Sequence, residues 1–126
     1  MNKREPPIDE ARARELLQRE RARIESSLAD LQRMRRSELD EVDSATDPLD
    51  DGEVIEEEEV DQALAVQLRA ELEAVERGEK RLADGTYGFS VEGGEPIPAE
   101  RLEAIPWAER TAEEQERYER THGRTV

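Results

Sequence analysis

The stretch that decides the fold is residues 10–42, EARARELLQRERARIESSLADLQRMRRSELDEV, which contains neither glycine nor proline. Leu17, Ile24 and Leu31 recur every seven residues, and Leu28 and Val42 fall on the interleaved positions of the same repeat. Arg21 and Arg35 interrupt this stripe. One narrow apolar stripe on an otherwise charged segment predicts a long helix that needs a partner helix. Asp9 is placed to cap its start, with Glu10 in the first turn where the helix dipole favours an acid. Such a helix would span roughly 50 Å at ~1.5 Å per residue.

The partner lies further along the same chain. Val60, Leu64, Leu68, Leu72, Val75 and Leu82 repeat at spacings of three, four and seven, predicting a second helix that starts between Gly52 and Glu57 and ends near Ala83. Gly78 is a weak point inside it, costing about 1 kcal/mol relative to alanine. The intervening Ser44 to Gly52, broken by Pro48, is short and polar. Two amphipathic helices so joined form an antiparallel hairpin. The predicted fold is therefore mainly α. A flexible lead (1–8) precedes a coiled-coil hairpin (9–83) with an acidic tip near 43–56. A small module (84–120) and a frayed tail (121–126) follow.

Composition narrows the function. The chain has 126 residues and a net charge of -15, with 42% charged and 34% apolar residues. That apolar content suits thin helical structure better than a thick globular core. The charge is concentrated: residues 41–62 hold eleven Asp/Glu and no Lys or Arg. Such a stretch repels nucleic-acid phosphates and suits a cation or a basic protein surface. Solubility alone would call for acids spread over both stems.

No cysteine is present, which excludes disulfides and thiolate metal ligands. The chain shows no secretory leader and no apolar run approaching ~20 residues, so a cytoplasmic, non-membrane protein is expected. The single histidine, His122, lies in the tail, the serines have no partners for a nucleophilic triad, and no phosphate-binding glycine motif occurs. No catalytic residue and no cofactor are expected, so the chain reads as a binding protein, not an enzyme.

The tip also bears comparison with a calcium loop. Counting from Asp47, Asp51 stands at position 5, Gly52 at 6, Val54 at 8 and Glu58 at 12. Position 3 is Leu49, which offers no ligand, and Pro48 occupies position 2. A divalent-cation hairpin is thus the weakest of three readings. A coiled-coil adaptor with a solubilising tip is the second.

The first comes from the C-terminal third. After Asp84-Gly85, residues 87–91 (YGFSV) alternate like a short strand. A helix is predicted around Leu102 and another from Thr111 to Arg120, with Tyr87, Phe89, Ile97, Leu102, Ile105 and Trp107 as a small knot. The segment 82–115 resembles the zinc-finger region of the DksA/TraR family of transcription factors. That family reads D-G-x-Y-G-x-C-x-x-C-G-x-x-I-x-x-x-R-L-x-A-x-P and then a second C-x-x-C. Asp84, Gly85, Tyr87, Gly88, Gly94, Ile97, Arg101, Leu102, Ala104 and Pro106 match. Ser90 and Gly93 stand where the first cysteine pair would be, and Thr111 and Glu114 where the second would be.

The resemblance implies a helical hairpin with a zinc-finger-like module, here without zinc. It also implies RNA polymerase as the partner, with the hairpin tip entering the secondary channel and no direct contact with DNA. The family's tip pattern D-x-x-D-x-A resembles Asp47-Pro48-Leu49-Asp50-Asp51-Gly52, with glycine in place of alanine. By that resemblance Asp47 and Asp50, with Asp51 beside them, carry the activity. A monomer is expected, because the hairpin can cover its own stripe.

Overall fold

The computed structural model describes the backbone of residues 5–44 and 51–123, and side chains at 5–37 and 60–123. Four helices follow one another: α1 (Glu10–Ser44), α2 (Asp51–Asp84), α3 (Ala99–Ala104) and α4 (Ala112–His122). The first two pair along their length. Leu31 lies beside Ala65, Arg23 reaches Glu71, and Leu17 approaches Gly78, so α1 numbers rise as α2 numbers fall. This is the antiparallel hairpin that the two stripes require.

The seam is dry near its base. Leu17 and Ile24 from α1 meet Leu68 and Val75 from α2, all buried, with Leu28, Leu31, Leu72 and Leu82 packed against them. Arg21, the polar intrusion in the stripe, lies at the edge of the seam. Its guanidinium donates through Nε and Nη2 to the two carboxylate oxygens of Glu79, at 3.1 and 2.6 Å. Gly78 has a packing reason: a Cβ there would stand 3.1 Å from Leu17 Cδ2. Two residues expected in the stripe are not covered. Val60 is 66% exposed and Leu64 45%. The cause lies on the opposite helix, where residues 32–37 (QRMRRS) are all exposed and offer Met34 as their single apolar side chain.

Helix α2 stops where the sequence places Asp84-Gly85. Gly85 adopts φ 81°, and the Gly85 and Thr86 N–H groups donate back to the Leu82 and Arg81 carbonyls. This paired arrangement satisfies the carbonyls that a helix end leaves open. Residues 87–91 form no regular strand. A single antiparallel bridge, Phe89 to Pro96, frames a tight turn, closed by Ser90 N–H donating to Glu95 O at 2.8 Å and Ile97 N–H to Gly88 O at 2.8 Å. Two glycines, Gly88 and Gly94, make the turn possible with φ of 92° and 71°.

The knot forms around Tyr87, Ile97 and Leu102, with Ile105 and Trp107 partly buried beside them. Phe89 is only half-buried. The N-terminal residues contribute more than the sequence suggests. Residues 5–8 are not a free lead: Ile8 belongs to the buried core, and Pro7 lies so close to Gly88 that a Cβ there would meet Pro7 Cδ at 2.8 Å. A bidentate pair from Arg12 to Glu103, at 3.0 and 2.8 Å, ties α1 to α3 on the surface.

Candidate functional site

Two sites follow from the sequence: the acidic tip and the four positions of the zinc-finger-like module. Of the tip residues, Asp47 and Asp50 lie outside the described residues. Asp51 opens α2, but its side chain lies outside them too.

The module's four positions do come together. Ser90 and Gly93 sit in the turn, and Thr111 and Glu114 begin α4. Thr111 caps that helix: its hydroxyl accepts from the Glu114 N–H at 3.2 Å, while Glu114 Oε1 accepts from the Thr111 N–H at 2.9 Å. This reciprocal pair is a capping box. The same carboxylate oxygen takes the Ser90 hydroxyl at 2.5 Å. Ser90 Oγ in turn accepts the backbone N–H groups of Glu92 and Gly93, at 3.1 and 3.3 Å. Gly93 leaves room for the approach, since a Cβ there would stand 3.2 Å from Glu114 Oε2.

Ser90 and Glu114 are both buried, at 6% and 7% exposure. A buried carboxylate costs several kcal/mol unless donors surround it. Here the donors win. The Ser90 hydroxyl first, and then the Thr111 N–H, hold the Glu114 carboxyl below the usual carboxylate range, against the opposing effect of burial.

This geometry does not fit zinc. Of the four positions, one is a glycine, two offer neutral hydroxyls, and the one carboxylate is already engaged. Zinc in such modules needs deprotonated sulfur or imidazole ligands in a tetrahedral set. Among the described residues no group of three or more His, Cys, Asp or Glu side chains is placed to hold a metal. A hydrogen-bonded carboxylate thus stands at the ligand positions and joins the same two segments that a metal would join.

A second polar centre fixes the module to the hairpin. Glu109 accepts from Arg77 Nε at 2.6 Å and Arg81 Nη1 at 2.9 Å, both on α2. Burial pushes the Glu109 carboxyl up, but the Arg77 hydrogen bond and the charges of Arg77 and Arg81 together hold it lower. Arg110 Nε donates to Glu92 at 2.6 Å, and its guanidinium lies 3.9 Å from the Tyr118 ring centroid. Tyr87 donates its buried hydroxyl to the Pro106 carbonyl at 2.7 Å, and burial pushes its pKa up to about 12. The sequence reading missed Glu109, Arg77 and Ile8. The only hint of the first two was opposite charge, which in this chain occurs everywhere.

Comparison with known proteins bears on the fold and on the module. The family model for the prokaryotic dksA/traR C4-type zinc finger matches residues 92–120. General stress protein 16O of Bacillus subtilis is 41% identical over 66 residues, which cover 52% of this chain and 40% of that protein. The RNA polymerase-binding transcription factor DksA of Caulobacter vibrioides is 41% identical over 66 residues, covering 49% of this chain and 46% of its own length. The chain thus matches less than half the length of these relatives. The structure of transcription factor DksA2 from Pseudomonas aeruginosa aligns over 91% of this chain and 86% of its own, with a TM-score of 0.73 and 27% identity. No described helix is long and apolar enough to cross a membrane. The hairpin, the module and the motif between Asp84 and Pro106 agree with these likenesses: the chain is similar to DksA/TraR-family proteins, and it carries no cysteine at the four positions where that family's zinc ligands stand.

Proposed function

We propose that this chain is a cytoplasmic regulator of transcription that binds RNA polymerase and passes the tip of its hairpin into the secondary channel. The observation that carries the reading is the likeness to DksA2 over 91% of the chain, hairpin and module together. The polymerase itself comes from the Caulobacter relative, which is an RNA polymerase-binding transcription factor. Charge and shape agree with it. A hairpin of two helices of 35 and 34 residues extends about 50 Å, and the sequence from the end of α1 to the start of α2, residues 41–62, holds eleven acids and no Lys or Arg. Carboxylates presented at the end of a long, narrow support suit a cationic site at the bottom of a channel, with electrostatic steering of entry. In this reading Asp47, Asp50 and Asp51 act near the catalytic magnesium, no DNA is touched, and no reaction is catalysed by the chain.

Purified protein and its Asp47→Asn/Asp50→Asn variant are compared for binding to core polymerase and for transcript yield. The wild type should bind and change the yield, whereas the variant should bind and leave it unchanged. Absence of affinity for the polymerase would instead make the hairpin an adaptor for another protein.

A further inference from the structure

Away from the tip, an open groove of ≈ 800 Å³ runs between α2 and the C-terminal module. Ile105, Trp107 and Ala112 give it an apolar floor, Gln67 of α2 forms one wall, and Glu116 and Glu119 border it from α4. Ile105 and Trp107 pack on the core from one side and are half-buried, so each keeps a face toward the groove. Its size falls in the range of ligand sites, roughly 300–1,000 Å³.

The charges around it say what it can hold. Arg101 and Glu109 also line the groove: Glu109 is neutralised by Arg77 and Arg81, whereas Arg101 donates Nε to the Arg110 carbonyl at 2.9 Å and keeps its positive charge. Against it stand Glu116 and Glu119, three residues apart on one helical face. The Glu116 side chain is 72% exposed, with one long contact of 3.8 Å to Arg120. Glu119 receives a neutral amide from Gln115 at 3.2 Å. Two carboxylates against the single Arg101 guanidinium leave the groove net negative, and with the indole beside them this disfavours a phosphate and favours a guanidinium or ammonium. The indole face adds about 0.5–2 kcal/mol to a cation held over it.

We propose that this groove docks a basic, amphipathic segment of a partner protein. An arginine or lysine sits by Trp107 between Glu116 and Glu119, and a neighbouring aliphatic side chain lies on Ile105 and Ala112. The inference goes beyond the polymerase reading and does not depend on it, because its chemistry names the segment and not the protein that carries it.

Trp107 is the one tryptophan in the chain and reports on the groove directly. The full chain is titrated with an amphipathic helical peptide of alternating Arg and Leu turns, and with its Glu-for-Arg counterpart, while Trp107 emission is followed. The arginine peptide should shift the emission saturably, and the acidic peptide should not. Glu116→Lys/Glu119→Lys, both surface changes, should raise Kd about tenfold or more, corresponding to the loss of ~1.4 kcal/mol or more, with far-UV circular dichroism unchanged. Asp47→Asn/Asp50→Asn should leave Kd within about twofold, a change under ~0.5 kcal/mol. The proposal is overturned if the emission responds equally to the acidic peptide or to inorganic triphosphate. It is also overturned if the charge reversal leaves Kd unchanged, or if the tip variant abolishes the response.

Discussion

If the Glu114 carboxylate joins the turn to α4, removing it should loosen the module selectively. Glu114→Ala deletes the acceptor of two hydrogen bonds, from the Ser90 hydroxyl at 2.5 Å and the Thr111 N–H at 2.9 Å. It also leaves the buried Ser90 hydroxyl without that partner. Hydrogen bonds to an ionised group contribute about 1.5–3 kcal/mol each, and losing one partner strands the other, so a loss of about 3 kcal/mol is expected. Glu114→Gln keeps an oxygen in place and loses only the charge, for about 1 kcal/mol. Trp107 lies in the module, so urea unfolding followed by its fluorescence reads the right region, while circular dichroism reads mainly α1 and α2. With a slope of about 1.5 kcal/mol per molar urea, the alanine variant should lower the fluorescence midpoint by about 2 M.

The sign with pH is fixed by the lowered carboxyl. A depressed folded pKa stabilises above the unfolded value near 4.3, and that stabilisation is lost as pH falls through the folded value. The gap between wild type and Glu114→Gln should therefore shrink below about pH 4. Unchanged midpoints in both variants, or a gap that widens in acid, would refute the reasoning.

Other expectations follow from packing. Ile24 is fully buried in the seam, and Ile24→Ala should cost about 2–4 kcal/mol by thermal or urea unfolding. Val60→Ala, at a 66% exposed position, should change stability by less than about 0.5 kcal/mol in the same assay. Gly88→Ala combines φ of 92° with a Cβ only 2.8 Å from Pro7 Cδ. It should cost about 2 kcal/mol or more and free residues 5–8, seen as faster amide exchange at Ile8. Adding a zinc chelator, or zinc itself, should leave the Trp107 unfolding curve unchanged, because no ligand set among the described residues fits the ion.

The helices were legible because their signals are local and repeat. Leu17, Ile24, Leu68 and Val75 announce one seam, Asp84-Gly85 announces a stop, and Thr111 with Glu114 is a cap readable at a spacing of three. What repetition cannot show is coverage. Val60 and Leu64 obey the period, but their burial depends on what α1 offers opposite, and there residues 32–37 offer little. Residues 87–91 alternate like a strand, yet their backbone bonds scatter: Ser90 N–H goes to Glu95 O and Gly88 O takes Ile97 N–H within one tight loop, while Val91 N–H goes to Glu109 O, so no ladder forms. The Ser90 to Glu114 bond spans 24 residues and Pro7 meets Gly88 across the whole hairpin. Contacts so distant along the chain leave no periodic trace. The matched family residues located the four positions, while the chemistry that now joins them emerged only from their geometry.

The ladder of ion pairs between the two ends of the chain carries a kinetic consequence. Arg23 with Glu71, Arg21 with Glu79 and Arg12 with Glu103 close loops of 48, 58 and 91 residues in turn. Bringing distant ends together in one step costs more conformational entropy than closing them in stages, by about 0.6 kcal/mol for each doubling of the loop. Folding should therefore advance like a zip from the inner pairs to the outer ones. The contacts of Pro7 and Arg12 with the module span the longest loops and can form only at the end, so they should be the first to open again.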